Sequence, residues 1–145
     1  MAQPHIVLNW MAIAASVVAA FVFGGIWYGP LFGMTWARLM GFTEKPDKSK
    51  MKRGMGLQLL GTFLVTYCLA HSEQVWRGSV WGVGPDGPDA MYGFMAGFFT
   101  WLGFYVPLQL NKVGWELKPW KIFFINVGHD FINLQIIAMI LAFWR

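Results

Sequence analysis

Charge is scarce in this 145-residue chain: Asp, Glu, Lys and Arg together make up 12%, about half the roughly 25% of a soluble domain. A surface wetted on all sides needs more polar side chains than that, so lipid is the expected solvent. Cysteine is nearly absent. Cys68 stands alone inside an apolar run, which excludes an intramolecular disulfide and leaves the redox compartment open. Acidic residues are few as well, 7 against 11 Lys and Arg for a net charge of +4. The positive residues sit in short connections between apolar runs, a pattern that fits anionic headgroups and topology rather than nucleic acid. No Lys or Arg precedes Arg38, so the first apolar stretch lacks the basic region of a signal peptide and is expected to remain as a span. G-x-S-x-G, a Walker loop, H-E-x-x-H and paired cysteines are all missing, and without them no enzyme class has positive support.

What the chain does have is apolar length. Hydrophobic residues make up 57% of it and aromatics 18%, with 9 Trp and 13 Phe, and the mean hydropathy is +0.47. Crossing a hydrocarbon core of about 30 Å takes about 20 helical residues. Four segments qualify, at about 6–28, 54–74, 90–110 and 121–144. None alternates with the period of a barrel strand. The first ends on Trp27 and Tyr28, residues suited to an interface, and Gly29-Pro30 is expected to break it. Residues 30–41 are too short to cross and too apolar for an aqueous loop, and read as a helix lying in the interface, with Pro30 at its start and Gly41 as terminator. Residues 43–53 read as a hydrophilic basic loop. Pro107 should kink or end the third span. The expected fold is therefore all-α, an integral membrane bundle of four transmembrane helices with a short interfacial helix after the first, forming a single domain over residues 1–145.

Orientation follows from the basic residues. The first connection holds Arg38, Lys45, Lys48, Lys50, Lys52 and Arg53 and the third holds Lys112, Lys118 and Lys121, whereas the second has only Arg77 against Glu73, Asp86 and Asp89. The positive-inside rule puts the first and third connections in the cytoplasm and both termini outside. Gly82 to Asp89 then reads as turns on the outer surface. Asp86 and Asp89 make half a calcium loop at most and are read as turn residues.

Helices associate in lipid through close backbone approach and polar contacts. Ala12, Ser16, Ala20 and Gly24 recur every four residues along the first span, and Gly93 and Gly97 form a GxxxG pair in the third. Either set could join helices within the chain or between copies. In the fourth span Asn126, His129, Asp130 and Asn133 fall on one stripe. Asp130, about 13 Å in from Lys121, lies near the midplane and is the one charge expected inside the bundle. Depth counting puts Ser16, Thr62 or Thr66, and Thr100 near the same level, so a polar midplane layer is expected. As a functional layer it would bind a cation, relay a proton or hold a polar solute; as a structural one its side chains would bond each other and orient the helices. His5 and His71 lie near the outer surface and away from His129, which argues against haem between two histidines. Two such ligands are thin support for a metal, and no cofactor is expected.

The residues of the first span carry a resemblance. Asn9-Trp10, then Trp27-Tyr28-Gly29-Pro30-Leu31-Phe32-Gly33 and Trp36, resemble the bacterial integral membrane family catalogued as domain of unknown function seventeen-sixty-one. That resemblance implies a small bacterial inner-membrane protein of four spans and assigns no catalytic or binding residue. The leading functional expectation is a non-enzymatic protein acting by association, as a homo-oligomer or an accessory subunit of a larger membrane complex, with anionic lipid at the basic loop. The alternative is a small transporter or channel for a cation, proton or polar solute working through His129 and Asp130, and a third reading is an enzyme acting on lipid.

Overall fold

The computed structural model describes residues 4–44 and 47–145; Lys45 of the basic connection lies outside the described residues. Among the described residues all regular structure is helical, in the order α1 (Trp10–Ile26), a π turn (Trp27–Leu31), α2 (Gly33–Leu39), α3 (Lys48–Val75), α4 (Gly78–Trp81), α5 (Asp89–Thr100), a second π turn (Trp101–Tyr105), α6 (Val106–Gly114) and α7 (Trp120–Phe143). With the π turns counted in, four rods are long and apolar enough to cross a membrane: Trp10–Leu31, Lys48–Val75, Asp89–Gly114 and Trp120–Phe143.

Both π turns lie where a proline would otherwise end a helix. Proline has no N–H and its ring collides with the carbonyl four residues back; a π turn widens the hydrogen-bonded loop by a residue and relieves the clash. Pro30 sits inside the first, which Phe32 closes by donating its N–H to Trp27 O at 2.8 Å. Pro107 follows the second, in the first turn of α6. The first rod therefore runs through Gly29-Pro30 to Leu31, where a break was expected, and the third runs through Pro107 to Gly114, where a kink or an end was expected. The helix expected over residues 30–41 is shorter, Gly33–Leu39, and ends before Gly41, which has a φ of 79°.

The basic loop expected over residues 43–53 is helical from Lys48 onward. Asp47 accepts from Lys50 N at 2.8 Å, a side-chain N-cap that lets α3 begin well before its apolar part. At 28 residues, α3 is about 42 Å long, more than the hydrocarbon core, so its lysines project past one end of the bundle.

Helix α7 is the axis. In its most apolar stretch 44% of residues are buried, against 28%, 22% and 11% in the first, second and third rods. Helix α1 lies antiparallel to it: Asn9 donates to Trp144 O at 3.3 Å at one end, and Gly24 lies beside His129 at the other. Ala12, Ser16 and Ala20 are buried in this contact, with Ile13, Leu134, Ile137 and Leu141 around them. A Cβ added to Gly93 would meet Ala142 Cβ at 3.0 Å and Ala138 O at 3.1 Å, and one added to Gly97 would meet Leu134 O at 3.2 Å. Both small-residue sets thus serve packing within the chain. Large apolar side chains such as Val18, Leu60, Phe99 and Phe104 are exposed around the outside, the surface a lipid solvent would cover.

Candidate functional site

Toward the end of the bundle where the lysines gather, side chains from three rods meet on α7. Tyr28 Oη donates to Asn126 Oδ1 at 2.9 Å, Asn126 Nδ2 to Gln109 Oε1 at 3.1 Å, and Gln109 Nε2 to Asp130 Oδ2 at 3.1 Å. His129 Nδ1 is 3.1 Å from the other carboxylate oxygen, Oδ1. Every link points its donor toward Asp130, so the polarisation of each bond adds to the next. Asn126 and His129 are buried, and Asp130 keeps 13% of its side chain exposed.

The π turns supply the frame. Trp27 and Tyr28 belong to the first, and Trp101 heads the second. Trp27 Nε1 donates to Ile125 O at 3.2 Å and Trp101 Nε1 to Val127 O at 2.9 Å, so two indoles clasp α7 just before His129. The imidazole lies among aromatic rings, stacked on Phe23 at 5.5 Å and tilted against Tyr28 at 4.8 Å and Trp27 at 6.1 Å. Its Nε2 is buried without a hydrogen-bond partner, 3.5 Å from where a Cβ on Gly24 would stand. With Nδ1–H engaged by Asp130, Nε2 presents a lone pair to a box of aromatic rings.

The expected midplane layer is only partly present. Asn126, His129 and Asp130 come together, but Asn133 stays outside the chain of bonds, its Oδ1 buried and unpartnered. Ser16 is buried with Oγ unpartnered, while Thr62 and Thr66 bond back to Gln58 O and Thr62 O on their own helix. Thr100 makes none of the site's bonds. The register explains this: with Gly24 beside His129, Ser16 lies eight residues, about 12 Å, further along α1. The partners of α7 instead are Tyr28, expected to be an interfacial anchor, and Gln109. The signal for Gln109 was present, an amide near the end of an apolar run.

Asp130 is also not the one buried charge. At the opposite end, which carries the described ends of the chain, Arg77 is 2% exposed and Glu73 3%. Arg77 Nη1 donates to Asp89 Oδ1 at 2.7 Å, and its guanidinium lies over the Tyr92 ring at 4.5 Å. Arg145 bridges Asp86 at 3.0 Å and Asp89 at 3.1 Å. Asp86 also accepts from Ser79 N and Oγ, at 2.9 and 2.7 Å, which holds its carboxyl below the ordinary carboxylate value; the Ser79 backbone N–H is the largest cause, then the Ser79 hydroxyl. The sequence sign of this cluster was the proximity of Glu73 and Arg77, four apart at the end of an apolar run, and their side chains lie 3.7 Å apart. His71 turns its Nδ1 to Tyr67 O at 3.0 Å, on its own helix, and His5 N donates to Val80 O. Among the described residues no three His, Cys, Asp or Glu side chains converge as a metal site.

No curated protein and no solved structure matches the chain. The pattern of an uncharacterised family, described as "Protein of unknown function (DUF1761)", matches residues 11–142. That span takes in α1 through nearly all of α7 and every residue of the Tyr28–Asp130 site, and the chain belongs to that family.

Proposed function

We propose that the chain is a bacterial inner-membrane protein whose intramembrane His129–Asp130 pair takes up a proton or a comparably small polar species. The observation that carries this is the half-satisfied imidazole: Nδ1 is held by Asp130 while Nε2 is buried with no partner. A proton arriving at Nε2 makes an imidazolium whose charge is countered by the Asp130 carboxylate and by the face of the stacked Phe23 ring. The chain of donors from Tyr28 through Asn126 and Gln109 keeps Asp130 ready as the counter-charge. The tight box favours a proton over a bulky solute. The basic connections face the cytoplasm in this reading and both termini lie outside, as the Lys and Arg distribution supports.

The test is proton flux in liposomes holding the purified protein, with Asp130→Asn and His129→Gln beside it. Flux is expected in the unaltered protein and lost in both variants, with folding retained; no flux in the unaltered protein would overturn the reading.

A second reading, action by association as a homo-oligomer or an accessory subunit, draws on α3. Gly54, Gly61 and Cys68 recur every seven residues on that helix, all exposed, and a Cβ on either glycine would meet nothing within 4 Å. Such a seam suits close approach of another membrane helix. Gentle extraction from the native membrane, followed by sizing and identification of co-purifying chains, tests it, and a solitary monomer would sink it.

A further inference from the structure

The charged cluster at the end opposite the lysines does not balance. It holds three carboxylates, Glu73, Asp86 and Asp89, and two guanidiniums, Arg77 and Arg145. Both cations are spent on the aspartates: Asp89 Oδ1 takes Arg77 Nη1 at 2.7 Å and Arg145 Nη2 at 3.1 Å, and Asp86 Oδ2 takes Arg145 Nη1 at 3.0 Å. Glu73 is left over. Its nearest cation is Arg77 Nη2 at 3.7 Å, too far for a hydrogen bond, and both Glu73 Oε1 and Arg77 Nη2 are buried and unpartnered. The remaining wall comes from Asn9 at the head of α1 and Leu141 and Trp144 at the end of α7, none of them ionisable.

Glu73 and Arg77, which carry these two orphaned atoms, line a cavity of about 20 Å³ together with Asn9, Ala12, Ala70 and Leu141, which is room for one water. Asn9, Gln74, Arg77 and Arg145 line it and also line a wider hollow that opens at the same end of the bundle past Ser79 and Val80. The orphaned pair is therefore next to a water-sized space with a route to solution.

We propose that Glu73 is a proton-loading group: it takes a proton from the solution at this end and shares a single cavity water with Arg77. Left ionised, Glu73 would be a buried carboxylate whose neighbouring cations, Arg77 and Arg145, are both committed to the aspartates, an arrangement that protein interiors avoid by neutralising the group. A metal cation in the cavity would have to lie against the free edge of the Arg77 guanidinium, which repels it; a proton adds no such conflict and brings the cluster to neutrality. The water accepts from Arg77 Nη2 and engages Glu73 Oε1, giving both orphaned atoms a partner. This site lies apart from His129 and does not depend on the reading given for it.

Infrared spectroscopy of the full chain in lipid nanodiscs tests the proposal without a flux measurement. The protein has three glutamates, of which Glu44 and Glu116 are exposed. At neutral pH the spectrum is expected to contain a protonated carboxylic-acid carbonyl band that shifts when glutamate carries carbon-13 in its carboxyl group, shifts again in deuterated buffer, and disappears in Glu73→Gln. Absence of a glutamate-derived acid band overturns the proposal, as does a band that ignores deuterated buffer or survives Glu73→Gln. Should Glu73→Gln not fold, Glu44→Gln and Glu116→Gln decide by elimination: a band unchanged in both is Glu73, and a band lost in either overturns the assignment.

Discussion

Gln109 holds two residues of α7 with one amide: its Oε1 accepts from Asn126 at 3.1 Å and its Nε2 donates to Asp130 at 3.1 Å. Asn126 and Asp130 are one helical turn apart, so the planar amide spans that turn and fastens α6 to α7 at the level where Tyr28 fastens the first rod. The same contact that aims the site also joins the rods.

Replacing Gln109 by Leu keeps the volume and removes both bonds. Polar contacts inside membrane bundles average about 0.6 kcal/mol and reach about 1.7, so a loss of roughly 1–2 kcal/mol is expected in unfolding measured in lipid or mild detergent. Gln109→Glu should cost more, because a second carboxylate would stand against Asp130. Equal stability of the glutamate variant and the parent would show that the Asp130 bond is not made.

Gly97→Leu separates internal packing from association. A Cβ there would fall 2.7 Å from Gln135 Nε2 and 3.2 Å from a backbone oxygen, so overpacking of about 1–3 kcal/mol is expected in the single chain. Gly61→Leu, where a Cβ meets nothing, should leave the single chain's stability unchanged and weaken only an assembly that uses the α3 seam. Unfolding and analytical sizing of the two variants side by side read the difference.

The loop that carries Asp86 should depend on acid. Because Ser79 depresses the Asp86 carboxyl below its ordinary value, the link contributes stability above the unfolded value of about 3.9, and that contribution is lost as pH falls through the depressed folded value. Carboxyl chemical shifts followed by NMR should titrate at lower pH than a free aspartate. Ser79→Ala removes the hydroxyl bond but keeps the backbone N–H, so it should raise the titration midpoint only part of the way; an unchanged midpoint would exclude the hydroxyl as a cause.

Orientation has its own measurement. Single cysteines at Gly87 and at Lys118, in a Cys68→Ser background, should react with a membrane-impermeant thiol reagent in intact cells at position 87 and only after permeabilisation at position 118. The reverse pattern would invert the proposed topology.

The four rods were legible because apolar length is a local property, and no tertiary contact is needed to make a stretch of about 20 apolar residues prefer lipid. Packing positions were legible for the same reason: Ala12, Ser16, Ala20, Gly93 and Gly97 are small, and they are buried at the helix contacts. What spacing could not supply was how helices meet. Depth counting placed Ser16 and Thr100 level with Asp130, yet depth says nothing of which face a residue turns or how far antiparallel neighbours slide. The observed slide puts Gly24 against His129 and brings in Tyr28 and Gln109. Pro30 misled for a related reason, since a π turn that carries a helix past a proline depends on what clasps it, here the indole of Trp27 bonded to α7.

By itself, then, the sequence determined a four-helix chain suited to lipid, its small-residue contact faces and the polar stripe of α7, because each follows from composition and period within one helix. Only the tertiary structure decided that Asp130 is served by Tyr28, Asn126 and Gln109, that His129 Nε2 is left open, and that Glu73 and Arg77 are buried together. Those outcomes depend on register and on side chains 12 or more residues apart in the chain converging on α7 or on the far end of the bundle.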